Sequence, residues 1–206
     1  MRRLGFRTAA DLPAAVIAVR EVLQRHGVVV IPTETFYGLA ADPRDPEAVA
    51  KVFALKGRDA AKGLLVVAAD LAQAAQLAVI PPLWQQRLAK VWPAPLTVVF
   101  PASRPLPGGG SSVAVRVPDH ALLRALLAQV GPLTATSANL AGEPPAREVE
   151  ALGTVGEGAD LVLDGGPTPG GAPSTLLDAL AVPPRILRPG AFPVPAAWLE
   201  GSDAGV

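Results

Sequence analysis

The sequence predicts an α/β fold with a mixed β-sheet. Short apolar runs and helical stretches interleave from one end of the chain to the other. Several neighbouring strand candidates have no helix between them, which requires antiparallel as well as parallel pairs. Half of the 206 residues are hydrophobic, enough to build a sizeable core.

The elements follow from local chemistry. Asp11 can cap a helix running to about His26, with Gly27 ending it. Val28-Val29-Val30-Ile31 is a buried strand stopped by Pro32, and 33–38 follows as a loop. Asp45 can cap a second helix from Pro46 to about Leu55, with Lys56-Gly57-Arg58 at its end. Leu64 to Val67 is a strand, Asp70 starts a helix, and a further helix spans Leu83 to Val91. The two prolines of Trp92-Pro93-Ala94-Pro95 forbid its continuation. Leu96 to Phe100 and Val113 to Val117 read as strands around a flexible glycine-rich loop, 107–112. Asp119 can cap a helix ending near Gly131, and Leu133 to Thr136 is a short strand before a loop with Ser137 and Asn139. Leu161 to Leu163, Thr175 to Leu177 and Arg185 to Leu187 are the later strands. No repeat or second domain is visible. The expectation is a single domain over 1–206, with a core of about 8–190 and a loosely held Pro-, Ala- and Gly-rich tail of about 191–206.

Composition excludes several functions. Lys plus Arg and Asp plus Glu both total 18, so formal net charge is zero, and tight binding of bare tRNA is not expected. No apolar run is long enough for a membrane span, and Asp11 and Pro13 interrupt the N-terminus too early for a signal peptide. The absence of cysteine removes disulfides and thiolate metal sites and fits a reducing, cytoplasmic setting. With His26 and His120 as the two histidines, zinc chemistry and a Ser-His-Asp triad find no support. Neither a Gly-x-Ser-x-Gly elbow, nor a Walker loop, nor a Gly-x-Gly-x-x-Gly fingerprint occurs.

What remains is a set of polar and basic residues on loops beside apolar strands: Lys56, Arg58, Lys62, Arg116, Ser137, Asn139 and Arg188. Ligands of open α/β sheets usually bind at strand ends, and gathered cations suit a polyphosphate or a carboxylate. Each residue has a plainer reading. Lys56 and Arg58 can complement a helix C-terminus. Arg116, embedded in Val113-Ala114-Val115-Arg116-Val117, can pair with a core acid. Ser137 and Asn139 can shape a turn.

The order of the motifs narrows the reading. Pro32-Thr33-Glu34-Thr35-Phe36-Tyr37-Gly38-Leu39, Lys56-Gly57-Arg58, Trp92-Pro93-Ala94-Pro95-Leu96-Thr97, Val113 to Pro118, Thr136-Ser137-Ala138-Asn139, Ser174-Thr175 and Leu187-Arg188-Pro189-Gly190 together resemble the YrdC-like family. The length is similar to that of its short members, which lack an extra C-terminal domain. The resemblance implies a twisted sheet with flanking helices around a deep, positively lined cavity. It implies a threonylcarbamoyl-AMP synthase activity: L-threonine, bicarbonate and ATP, with magnesium held mainly by the ATP phosphates, give L-threonylcarbamoyl-AMP and pyrophosphate. The product serves threonylcarbamoyladenosine modification of tRNA, through transfer enzymes that the chain could contact transiently. By the same resemblance Thr35, Arg116 and Ser174 face threonine, with Arg116 on its carboxylate. Lys56, Arg58, Ser137 and Asn139 form the catalytic set, and Lys62, Ser112 and Arg188 join Lys56, Arg58 and Ser137 around ATP. A weakly active or inactive paralogue binding RNA or nucleotide is the alternative, and a carbamoyl-transfer module a third reading. The chain departs from the family pattern at Ala94, where glycine is usual. It also departs at Asp59 and Lys62-Gly63, where prolines are usual, and near Val67, where some members have histidine.

Overall fold

The computed structural model describes residues 2–57 and 65–200. Its strands are β1 (Arg2–Gly5), β2 (Val29–Ile31), β3 (Gly38–Ala40), β4 (Leu65–Val67), β5 (Leu96–Leu106), β6 (Gly110–Arg116), β7 (Leu133–Thr134), β8 (Thr136–Ser137), β9 (Leu161–Asp164), β10 (Thr175–Asp178) and β11 (Arg185–Arg188). Its helices are α1 (Leu12–Leu23), α2 (Pro46–Lys56), α3 (Leu71–Ala74), α4 (Pro82–Val91), α5 (Ala121–Val130) and α6 (Gly153–Glu157). The strands form two mixed sheets, ordered β1-β9-β2-β3-β8 and β11-β10-β5-β6-β4-β7, where one was expected.

Side-chain alternation explains the layering. In the five-stranded sheet, Val29, Ile31, Leu161 and Leu163 point into one apolar cluster with residues of α1 and α5. Val28, Val30, Leu39 and Val162 point into a second, with residues of α2. A sheet buried on both faces reads as a continuous apolar run, which is why Val28 to Ile31 is so plain in sequence. In the six-stranded sheet, Val66, Leu96, Val98, Phe100, Val113, Val115 and Leu177 fill a third cluster with Trp84 and Leu88 of α4. The alternate positions, among them Leu65, Ala114, Arg116 and Leu176, line a cavity between the two sheets.

Several boundaries differ from expectation. α1 ends at Leu23, and His26 rather than Gly27 takes the left-handed conformation, at φ 56°. Helix α5 is capped by His120, whose Nδ1 accepts from the Leu123 N–H at 3.1 Å, and not by Asp119. Burial holds the His120 imidazole below its ordinary value, so the ring stays neutral and able to accept. The glycine-rich segment expected as a loop over 107–112 is a tighter hairpin, because β6 already begins at Gly110. Strands β1 and β3 and helix α6 carry no clear apolar period and were not expected, and the strand expected over 133–136 divides into β7 and β8, which belong to different sheets.

Strand β1 pairs in parallel with β9 and brings Arg3 and Arg7 onto Asp164. Phe6, directly after it, is buried in the first cluster. At the other end Phe192, Val194, Trp198 and Leu199 pack on the third cluster, and Trp198 meets Trp84 edge to face at 5.4 Å.

Candidate active site

A cavity of about 400 Å³ lies between the sheets. It gathers Thr35, Arg116, Ser137, Asn139, Ser174 and Arg188, six of the residues singled out in the sequence, from five separate segments. The loop between β2 and β3 forms one wall. Thr33 organises it: its hydroxyl donates to the Phe36 carbonyl at 2.7 Å and accepts from the Thr35 and Phe36 N–H groups. That local turn sets Thr35 Oγ1 3.1 Å from Thr33 Oγ1, with both side chains facing the cavity. Tyr37 anchors the loop from behind, donating to the Gly166 carbonyl at 2.7 Å and accepting from the Gly165 N–H.

Arg116 is buried in the wall, and its Nη1 lies 2.9 Å from Oε1 of Glu34. Burial holds the guanidinium below its ordinary value and Glu34 opposes that shift. Arg116 is thus paired with an acid and also lines the cavity.

Opposite, Lys56 at the end of α2 is 4% exposed. Its ammonium donates to the Ser137 carbonyl at 2.6 Å, to the Asn139 carbonyl at 3.1 Å and to Ser137 Oγ at 3.3 Å. The Lys56 carbonyl accepts from Ala141 N–H, so both ends of the residue hold this loop. Asn139 folds the loop on itself by donating to the Leu140 and Glu143 carbonyls. Its turn-shaping role is thus real, and it coexists with a place on the cavity wall.

On the third side Ser174 Oγ lies 2.9 Å from Thr97 Oγ1, a buried pair. Arg188 donates to the Ser174 carbonyl at 2.9 Å and reaches its Oγ at 3.3 Å. Gly190 permits this crossing: a Cβ there would collide with the backbone of Pro173, Ser174 and Thr175. Ala94 sits without backbone strain; among the described residues His26 is the one non-glycine at positive φ.

Of the described residues expected in the site, Lys56 and Ser112 do not line this cavity, and Lys56 reaches it through the Ser137–Asn139 loop that it holds. Ser112 shares a strand face with Ala114 and Arg116 but borders a smaller neighbouring cavity with Pro43 and Thr134. Arg58 and Lys62 lie outside the described residues. Sequence reasoning gave no role to Glu34, Tyr37 or Thr97, although all three stand within the quoted motifs. The available signal was the embedded charge of Arg116, which called for an acid without naming it.

The family described as telomere recombination, which groups Sua5, YciO and YrdC proteins, matches residues 21–190. A threonylcarbamoyl-AMP synthase of Chromohalobacter salexigens is 42% identical over 177 residues, covering 83% of this chain and 94% of that protein. One from Pyrococcus abyssi is 38% identical over 174 residues, covering 81% of this chain and 51% of that protein. The crystal structure of P. abyssi Sua5 complexed with L-threonine superposes with a TM-score of 0.82 at 34% identity, covering 94% of this chain and 58% of that one. E. coli YciO shares the fold, with a TM-score of 0.79 at 19% identity over 92% of this chain and 94% of its own.

Proposed function

Since the chain belongs to the Sua5/YciO/YrdC family, we propose that it is a threonylcarbamoyl-AMP synthase. The observation that supports this reading best is the convergence of Thr35, Arg116 and Ser174 with Ser137, Asn139 and Arg188 on one cavity. One side offers hydroxyls and a guanidinium fit for an amino acid. The other offers the Ser137 hydroxyl, the Arg188 guanidinium and a loop held by Lys56, fit for phosphates. Relatives 42% and 38% identical carry this activity in their names. A relative 34% identical has been crystallised with L-threonine.

In the proposed reaction the threonine amine attacks bicarbonate and expels water, giving a carbamate. A carbamate oxygen attacks the α-phosphorus of ATP, the bond from that phosphorus to the β-phosphate's bridging oxygen breaks, and pyrophosphate leaves. Arg116 holds the threonine carboxylate, and Thr35 and Ser174 orient the rest of the amino acid. Lys56, Arg58, Ser137 and Asn139 position and neutralise the phosphates, assisted by Lys62, Ser112 and Arg188. Such catalysis is orientation plus electrostatic stabilisation, and it requires no nucleophilic side chain or histidine base. Glu143 is the one acidic side chain lining the cavity among the described residues. Magnesium belongs to this scheme as the partner of the ATP phosphates. The chain acts in the cytoplasm, and transient contact with the threonylcarbamoyl transfer machinery delivers the product for tRNA modification; no helix among the described residues is long and apolar enough to cross a membrane.

Pyrophosphate release that requires both threonine and bicarbonate is the direct test. Nucleotide binding without release would replace this reading with the inactive paralogue, and release independent of both would overturn the synthase reading. A salt-resistant, submicromolar complex with bare tRNA would likewise count against it, since zero net charge provides little counterion-release drive.

A further inference from the structure

Glu34 lies between Thr33 and Thr35 in sequence but does not line the cavity with them. It approaches Arg116 from behind the wall. The two side chains are 11% and 5% exposed, and Arg116 Nη1 stands 2.9 Å from Glu34 Oε1. The contact is nevertheless not a hydrogen-bonded fork. Neither carboxylate oxygen of Glu34 has a hydrogen-bond partner among the described residues, and Arg116 Nε has none. A bidentate arginine–carboxylate pair draws its strength from two parallel N–H···O bonds, and this pair lacks them. Charge holds it together in a place where both ions have lost most of their water.

We propose that Glu34 is a resident counter-ion that competes with the incoming threonine carboxylate for Arg116 and so sets the affinity of the amino-acid site. The inference rests on the reading that Arg116 takes that carboxylate. In the free protein Glu34 is the acid acting on Arg116 among the described residues, while Arg188 opposes the same charge. In the complex the substrate supplies a second carboxylate, and the guanidinium can form with it the bonds it does not form with Glu34. Removing Glu34 therefore destabilises the free state, which is left with an uncompensated buried charge. The complex, which keeps a counter-ion, is destabilised less. Binding must tighten as the gap between the two states widens. A merely structural Glu34 predicts otherwise: its loss would lower the fraction of folded protein without tightening any ligand.

The test is calorimetric titration of L-threonine and of L-threoninamide, which lacks the carboxylate charge, into wild type, Glu34→Gln and Glu34→Asp. Wild type should prefer threonine. Glu34→Gln should bind threonine about tenfold more tightly, the scale of one additional charge-assisted hydrogen bond. Its affinity for threoninamide should stay unchanged, and the melting temperature of the free variant should fall. Glu34→Asp keeps the charge but withdraws it by one methylene. It should tighten threonine binding by less, and it provides the measurement if the glutamine variant does not fold. Unchanged or weaker threonine binding in either folded variant overturns the proposal. A wild type indifferent to the carboxylate overturns it together with the reading of Arg116, and that outcome is recognisable before any variant is made.

Discussion

Lys56 Nζ lies 2.6 Å from the Ser137 carbonyl and 3.1 Å from the Asn139 carbonyl, tying the end of α2 to the loop after β8. A lysine at a helix C-terminus ordinarily complements the helix dipole from the surface. Here the side chain is buried and spans two segments separated by about 80 residues of sequence.

Lys56→Ala should therefore do two things. It leaves buried carbonyls without a donor, which costs about 1–3 kcal/mol of stability. It also removes a preorganised cation from the proposed phosphate side, so turnover should fall by about 100-fold or more. Thermal melts and pyrophosphate release on the same variant check both. A variant that loses stability but keeps full turnover per folded molecule would make Lys56 a loop anchor alone.

Thr97 offers a cleaner separation of packing from polarity. Its hydroxyl is paired with Ser174 Oγ, and the chain there is fully buried between β10 and β6. Thr97→Val keeps the shape and removes the hydroxyl, leaving Ser174 with one partner fewer. The expected result is a KM for threonine raised about three- to tenfold, from one hydrogen bond of about 1 kcal/mol, with a smaller change in kcat. Unchanged kinetics would show that Arg188 alone positions Ser174.

Asp164 provides a pH signature. Burial pushes its carboxyl up, but the Gly166 N–H and the guanidinium groups of Arg3 and Arg7 outweigh that and hold it below its ordinary 3.8. A carboxylate with a lowered native value stabilises the fold fully above its unfolded value and loses that contribution as pH falls through the native one. Asp164→Asn should therefore melt lower than wild type at neutral pH. The two curves should converge once pH drops well beneath 3.8, the ordinary value. A difference that persists unchanged in strong acid would assign the effect to packing instead of charge.

Legibility in the sequence followed burial. Val28 to Ile31 and Val113 to Val117 were plain because strands buried on both faces, or on one face with a strict alternation, leave an apolar signature. Strand β1 was hidden because Arg2 and Arg3 lie at the sheet edge, where Arg3 serves an ion pair instead of a core. Strand β3 was hidden because it is short and begins at Gly38 on the cavity wall, and β8 was read only as the end of the 133–136 strand because its two residues carry hydroxyls. The division into two sheets follows from pairings distant in sequence, such as β1 with β9 and β10 with β5, which no local pattern encodes. Within the site, polar residues at strand ends were visible individually. That Thr97 would meet Ser174 depended on the distant β10–β5 pairing, and that Glu34 would meet Arg116 depended on how the two sheets face each other.

Gly190 tests whether the third side of the cavity must be assembled for the others to work. The chain after β11 crosses the backbone of Pro173 to Thr175 so closely that Ala191 N–H donates to the Pro173 carbonyl at 2.9 Å. A Cβ on residue 190 would strike backbone atoms, which cannot rotate away as a side chain can. Gly190→Ala must therefore push the 188–191 segment outward, and Arg188 with it, breaking the 2.9 Å bond to the Ser174 carbonyl. The first and second apolar clusters, built from other segments, should remain folded. The expected phenotype is a cooperative melt lowered by an overpacking penalty of about 1–3 kcal/mol. Weakened binding of both ATP and threonine should accompany it, because Arg188 and Ser174 line the cavity together. Arg188→Ala, which removes the guanidinium without moving the backbone, should weaken ATP more than threonine. If Gly190→Ala binds both ligands normally despite a lowered melting temperature, the Arg188–Ser174 contact is a feature of packing and not of the site.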